Sequence, residues 1–326
     1  EAAEAMGLKP GTAVAAGMID AHAGGIGTVG IGGKPAENLA YVFGTSSCTM
    51  TSTVEPVFVP GVWGPYYSAM VPGMWLNEGG QSAAGAAIDQ LLSFHPAAAE
   101  ATARARDAGK SLPAYMAEHA ALKVMNASEA VTLASGLHVV PEFLGNRAPF
   151  ADPHARAVIA GLGMERNFDN LIALYIAGLC GIGYGLRQII ETQATAGASV
   201  ERVVISGGAG ASPLVRQILA DASGKPVVAT VAEEPVLLGS AILGSVAAGA
   251  FSDVRHAMEA LSGIANVHRR RDPSCEVSVV SETSGRGERD AVSLIAALGH
   301  SPGALDRPRP PVAASGRDCF VIQSMG

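Results

Sequence analysis

The stretch "RVVISGGAGASPLVRQ", residues 202–217, decides the class of fold. A β-branched run ends at Ser206, and the chain then turns on Gly207, Gly208 and Gly210. It re-enters regular structure at Ser212, a side chain suited to capping a helix, with Pro213 at the first helical position. A strand that turns on glycines into a helix is the repeating unit of an α/β domain. Downstream, "PVVA" (226–229) reads as a short strand, with helices at about 235–249 and 253–262. Upstream, a long helix is read at about 168–196 and an extended apolar run at 136–144. The first part of the chain is richer in strands, read at 12–20, 38–43 and 48–54, with a further run "GMWL" stopping just before Asn77 and Glu78. Ala-rich helical patterns at 82–93, 97–107 and 112–124, punctuated by Pro96 and Pro113, form a helical insert at about 82–130.

With 326 residues, 48% of them apolar and 16% charged, the chain is globular and able to bury a large core. A formal net charge of −7 supplies no broad basic field, which excludes nucleic acid and anionic membranes as general partners and leaves room for a local phosphate site. Cys48, Cys180, Cys275 and Cys319 form no C-x-x-C pair, against a zinc site or a disulfide framework and in keeping with the reducing cytoplasm. No basic segment followed by an apolar core opens the chain, so no signal peptide is read, and the start at Glu1 reads as a cut from something longer. The apolar stretches "LIALYIAGLCGIGYGLRQII" (171–190) and "VLLGSAILGSVAAGAF" (236–251) invite a membrane reading. The first ends in Arg187 and Gln188, the second is short of the ~20 residues a span needs, and their glycines and alanines suit close packing in a core. Beyond about 266 the chain turns Arg-, Pro-, Ser- and Gly-rich without periodicity, and residues 267–326 are read as a disordered tail.

Three glycine turns and one acid carry the candidate chemistry. In "AAGMIDAHAGG" (15–25), Asp20 closes an apolar run before a small-residue loop, as a strand-end carboxylate would, although on local pattern alone an Asx turn or helix cap is the more common explanation. His22 falls on the opposite side of an extended chain and reads as structural or substrate-adjacent. "FGTSS" (43–47) offers backbone N–H groups and the Thr45, Ser46 and Ser47 hydroxyls to an anion. "NEGGQSAAG" (77–85) sets Gly79 and Gly80 at a helix entrance, where unpaired N–H groups attract anions. The turn at 207–210 lacks both the third glycine of a dinucleotide fingerprint and the G-K-[ST] of a P-loop, and its flat surface suits an adenosine face. Arg147 and Asp152, in "NRAPFADPHAR", are read as a loop-fixing ion pair. No nucleophile elbow or H-E-x-x-H occurs, so hydrolase and metalloenzyme readings lack support.

Taken in order, "GMIDAHAGG", "GTSS", "WLNEGGQSAAG", "GNRAPFADPHARAVIAGL", "ISGGAGASPLVRQILADASGKPV" and "EEPVLLGSAILGSVAAG" closely resemble the C-terminal lobe of the FGGY carbohydrate kinases, within them the ribulokinase-like branch, over about residues 1–263. The resemblance implies an actin-like (ribonuclease H-like) ATPase lobe at 1–266, using ATP and Mg²⁺ to phosphorylate a small-molecule ketopentose, D-ribulose before L-ribulose, xylulose or ribitol. It implies Asp20 as catalytic base, Gly44 and Thr45 at the ATP phosphates, Gly80 and Gln81 beside the nucleotide, and Gly208 and Ser212 at the adenosine. It places the family's N-terminal lobe before Glu1, so that this chain alone is inactive, and leaves homo-oligomerisation open. A non-catalytic actin-like nucleotide-binding module is the rival from another class, and it has no use for Asp20. An NAD-binding domain ranks last, because Glu233 and Glu234 precede a helix where a ribose-binding acid would end a strand.

Overall fold

A computed structural model describes residues 1–270. Its elements follow in the order α1 (Ala2–Ala5), α2 (Asp20–Val29), β1 (Asn38–Phe43), β2 (Ser47–Thr53), β3 (Trp63–Tyr67), β4 (Trp75–Gly79), α3 (Gly85–Ser93), α4 (Ala98–Asp107) and α5 (Leu112–Ala121). Then come β5 (His138–Val140), β6 (Val158–Ala160), α6 (Phe168–Thr195), β7 (Arg202–Ser206), α7 (Pro213–Ser223), β8 (Val227–Thr230), α8 (Pro235–Ala247), α9 (Val254–Leu261) and β9 (Ile264–His268).

One seven-stranded sheet runs in the order β3-β4-β2-β1-β7-β8-β9. β1, β7 and β8 are mutually parallel, whereas β2 is antiparallel to both β1 and β4. β4 therefore points the same way as β1 and β7, and the carboxyl ends of these three strands share one edge of the sheet.

The period of two along β1 explains the two helical layers. Leu39, Tyr41 and Phe43 face one side, where they are buried with Ile88 and Leu91 of α3, Ile176 and Ile182 of α6 and Ile218 of α7. Ala40 faces the other, packing with Met50, Leu76, Ile26 of α2, Ile242 of α8 and Met258 of α9. Each fully buried aliphatic or aromatic chain contributes roughly 1.5–3 kcal/mol relative to exposure. α6 is long and apolar enough to cross a membrane, but 72% of its most apolar window is buried in this core. Helices α2 and α8 touch backbone to backbone: a Cβ on Gly239 would lie 1.8 Å from the Ala23 carbonyl oxygen.

Three features depart from the sequence expectations. Residues 12–19 form no strand, because none of the sheet's strands pairs with them, and Val14 is 83% exposed. Asp20 accordingly starts a helix and does not end a strand. Strand β3, with Pro65 inside it, was not read from the sequence, and it survives as an edge strand, where a missing N–H is tolerated. The boundary drawn at 266 falls inside β9, which pairs antiparallel with β8 through Val227↔His268 and Val228↔Val267. The tail from 271 onward lies outside the described residues.

Candidate active site

The three glycine turns meet at the shared carboxyl edge. Gly207, at φ +90°, sits against β1 so closely that a Cβ there would lie 2.5 Å from the Phe43 carbonyl oxygen. That contact puts the 207–210 turn beside Gly44 and Thr45, which follow Phe43. Across the sheet, Ser47 and Gln81 exchange backbone hydrogen bonds of 3.0 and 3.2 Å, drawing the end of β4 under the same turn.

The turns differ in what they leave free. Gly44, Thr45, Ser46, Gly207 and Gly208 are exposed, and a Cβ on Gly208 would meet nothing within 4 Å. Ser212 caps α7, its Oγ accepting from the Val215 N–H at 3.4 Å. The helix entrance at Gly79 and Gly80 is different from expectation. Gly80 is buried against the Ser47 carbonyl, and the N–H groups of Ala84, Gly85 and Ala86 at the start of α3 donate to the Gly44 and Thr45 carbonyls at 2.9–3.1 Å. Those amides brace the 44–45 turn and are not available to an anion. Gln81 is braced likewise: its Oε1 accepts from the Tyr41 and Ser47 hydroxyls, and its Nε2 donates to the Ile182 carbonyl at 3.2 Å.

Asp20 opens α2 on the opposite face of the sheet from α6. It is exposed, one oxygen accepting the Ala21 N–H at 2.7 Å. One half-turn on, His22 fixes where this helix end lies, because its Nε2 stands 3.2 Å from Glu78 Oε2, next to the last residue of β4. The N-terminus of α2 therefore lies at the carboxyl edge with the turns. The helical geometry, and not the extended chain assumed from the sequence, is what turns His22 toward the sheet.

Glu78 is the hub of a polar cluster that sequence reasoning missed. Its Oε1 accepts from Arg147 Nη2 at 2.9 Å and from the Cys48 thiol at 3.3 Å. The His22 hydrogen bond, with Cys48 and Arg147 adding to it, holds the Glu78 carboxyl below the usual glutamate range against the opposing effect of burial. Burial first, then the Glu78 charge, push the Cys48 thiol up to about 12, so it stays a protonated donor and not a nucleophile. Arg147 also lies over the Trp63 ring, 4.5 Å from its centroid. The ion pair expected between Arg147 and Asp152 does not form. Asp152 instead accepts from the His154 N–H at 2.8 Å and its carbonyl from the Asn146 N–H at 2.8 Å, closing the loop that delivers Arg147 to Glu78. The one signal available in the sequence was the position of Glu78 directly before Gly79 and Gly80.

Residues 39–248 match the C-terminal domain of the FGGY family of carbohydrate kinases. The chain belongs to this family. It is 44% identical over 277 residues to the FGGY carbohydrate kinase domain-containing protein of Homo sapiens, covering 82% of this chain and 50% of that protein. Against a D-ribulokinase of Saccharomyces cerevisiae it is 34% identical over 276 residues, covering 78% of this chain and 39% of the yeast protein. The chain thus spans half or less of the length of these two relatives. Among solved structures, xylulose kinase from Rhodospirillum rubrum superposes with a TM-score of 0.66 at 23% identity, over 91% of this chain and 54% of that one. Plasmodium falciparum glycerol kinase with ADP superposes at 0.62 and 16% identity, over 87% and 55%. These likenesses establish the actin-like ATPase fold of the sugar kinases, and with it an α/β carbohydrate kinase lobe.

Proposed function

We propose that this lobe transfers the γ-phosphoryl group of ATP to a primary hydroxyl of a ketopentose, D-ribulose, with Asp20 as general base. The observation that carries the reading is the convergence of an exposed carboxylate at the start of α2 with the open turns at 44–46 and 207–208 on one sheet edge. The yeast relative's name favours ribulose.

The turns divide the nucleotide between them. The exposed 44–46 turn takes the phosphates through backbone N–H groups and the Thr45 hydroxyl, and the open surface at Gly208 takes the adenosine, with Ser212 at its rim. Gly80 and Gln81 act beneath, as the brace that sets the height of the 44–46 turn. Asp20 takes the proton from the sugar hydroxyl as that oxygen attacks the γ-phosphorus, and the β–γ bridging oxygen leaves on ADP. His22 stands next to the sugar, held by Glu78.

Among the described residues, no three acidic, imidazole or thiol groups converge as a metal cage. The donor at this edge is the exposed Asp20 carboxylate, which fits an Mg²⁺ held mainly by phosphate oxygens and water. When bound, that ion neutralises charge on the phosphate oxygens.

The test is ADP release over a panel of D-ribulose, L-ribulose, D-xylulose, ribitol and glycerol, with the lobe joined to the N-terminal half of a close relative. D-ribulose is expected to give the highest kcat/KM. Preference for another member reassigns the substrate, and nucleotide binding without turnover on any member favours the binding-module reading.

A further inference from the structure

The glycine turn at 207–211 does not hold its shape alone. Arg216, on the first turns of α7 and 7% exposed, reaches back beneath it, and Nη1 donates to the carbonyls of Gly210 at 2.6 Å and Ala211 at 3.0 Å. Its Nε donates at 3.0 Å to Nε2 of His268 on β9. No carboxylate pairs with Arg216 among the described residues, so the orientation of a nearly buried guanidinium depends on two carbonyls and one imidazole. An imidazole nitrogen can accept that bond only when it carries no proton, which places the His268 proton on Nδ1.

We infer that Arg216 is a positioning residue for the nucleotide and that His268 is its acid-sensitive latch, coupling adenosine binding to the docking of β9. This rests on the reading of the 207–211 turn as the adenosine site. With His268 neutral, the fork of Arg216 is held and the turn is presented ready-made, so that binding need not order it. With His268 protonated, the acceptor is lost and two cations face one another, so the guanidinium swings and releases the two carbonyls.

Among the described residues, the groups facing His268 are few. From α7 these are Arg216 and Asp221; the paired strand β8 has no titratable side chain; Arg269 and Arg270 follow in the chain. Burial, then the Arg216 charge, lower the imidazole below its ordinary range, and Asp221 opposes them more weakly. The latch is therefore closed at neutral pH and opens on acidification. Gln217 ties the same corner, donating to the Arg269 carbonyl at 2.9 Å and to Asp221 at 3.0 Å, which keeps β9 on α7.

The experiment is calorimetric titration of the full chain with Mg·ADP, from neutral pH down through the range below 6.5, the ordinary imidazole value. The unaltered chain is expected to lose affinity on acidification beyond what phosphate protonation of ADP accounts for. His268→Gln, whose amide oxygen accepts at every pH, is expected to lose only the phosphate component on acidification. Arg216→Ala is expected to weaken ADP by ~10-fold or more, since two carbonyls lose a charge-assisted donor. Arg216→Lys is expected not to restore the affinity, because one ammonium cannot serve both carbonyls and the imidazole. Because Arg216→Ala also strips a buried anchor, its circular dichroism is compared first, and an unfolded variant leaves the decision to His268→Gln, at the sheet edge. An identical acid loss in His268→Gln overturns the latch, and unchanged affinity in a folded Arg216→Ala overturns the positioning role. No ADP binding by the unaltered chain at any pH overturns the nucleotide reading itself, and the inference with it.

Discussion

Asp20 and Gly208 make the sharpest demands on single residues. With the lobe joined to the N-terminal half of a close relative, Asp20→Asn is expected to lower kcat by ~10²-fold or more and leave ATP affinity within a few-fold, since a positioned base supplies roughly 10²–10⁴. Steady-state kinetics with ATP and sugar varied separately check this, and a near-normal kcat removes Asp20 from the mechanism. The two adjacent glycines then separate binding from folding. Gly208 has ordinary φ and open space around a Cβ, so Gly208→Val is expected to fold normally and weaken ATP. Gly207 has φ +90° and would place its Cβ 2.5 Å from Phe43, so Gly207→Val is expected to destabilise the fold by ~1–3 kcal/mol or more. Urea unfolding and ATP titration on both variants distinguish the roles, and a Gly208→Val variant with unaltered ATP affinity refutes the adenosine assignment.

At the scale of elements, α2 is the carrier of the candidate base, and its position depends on two contacts. Against α8, Gly239 admits the Ala23 carbonyl where a side chain would overlap it. Gly239→Val is expected to push the helices apart and cost ~1–3 kcal/mol, read as a lower urea midpoint at constant slope. The second contact is His22–Glu78 at the helix start. Because the folded Glu78 pKa is depressed, its contribution is complete above the ordinary value of 4.5 and is lost as pH falls through the lower, folded value. The stability difference between the unaltered chain and Glu78→Gln should therefore shrink as pH falls below 4.5. Chemical denaturation across that range measures it, and a difference independent of pH removes the ionised carboxylate from the account.

For the whole molecule, phosphoryl transfer needs groups positioned on both sides of the transferred phosphate. On the proposed reading the described residues supply one side, and the human and yeast relatives are at least about twice as long as the stretch they share with this chain. The 326-residue polypeptide assayed alone is expected to give no sugar-dependent ADP release, and turnover is expected once the N-terminal half of a relative is supplied in trans. Sugar-dependent turnover by the polypeptide alone contradicts this.

What the sequence determined by itself was everything carried by local periodicity and punctuation. The strand at 202–206, the Ser212 cap, the buried helix at 168–195 and the strands at 38–43 and 47–53 all announce themselves within a few residues of their own chain. The ordered motifs added the kinase lobe. Tertiary structure alone decided the rest, because it depends on partners far away in the chain. Whether 12–19 could be a strand turned on a neighbour that the sheet does not provide. Whether Arg147 paired with Asp152, five residues on, or with Glu78, 69 residues back, was set by a loop folding across the sheet edge. The amides at the start of α3 looked free until the 44–45 turn came down on them. Arg216, buried beneath a glycine turn and hydrogen-bonded to a strand 52 residues later, had no local signature, since a hydrogen-bond partner reached through space leaves no period in the sequence.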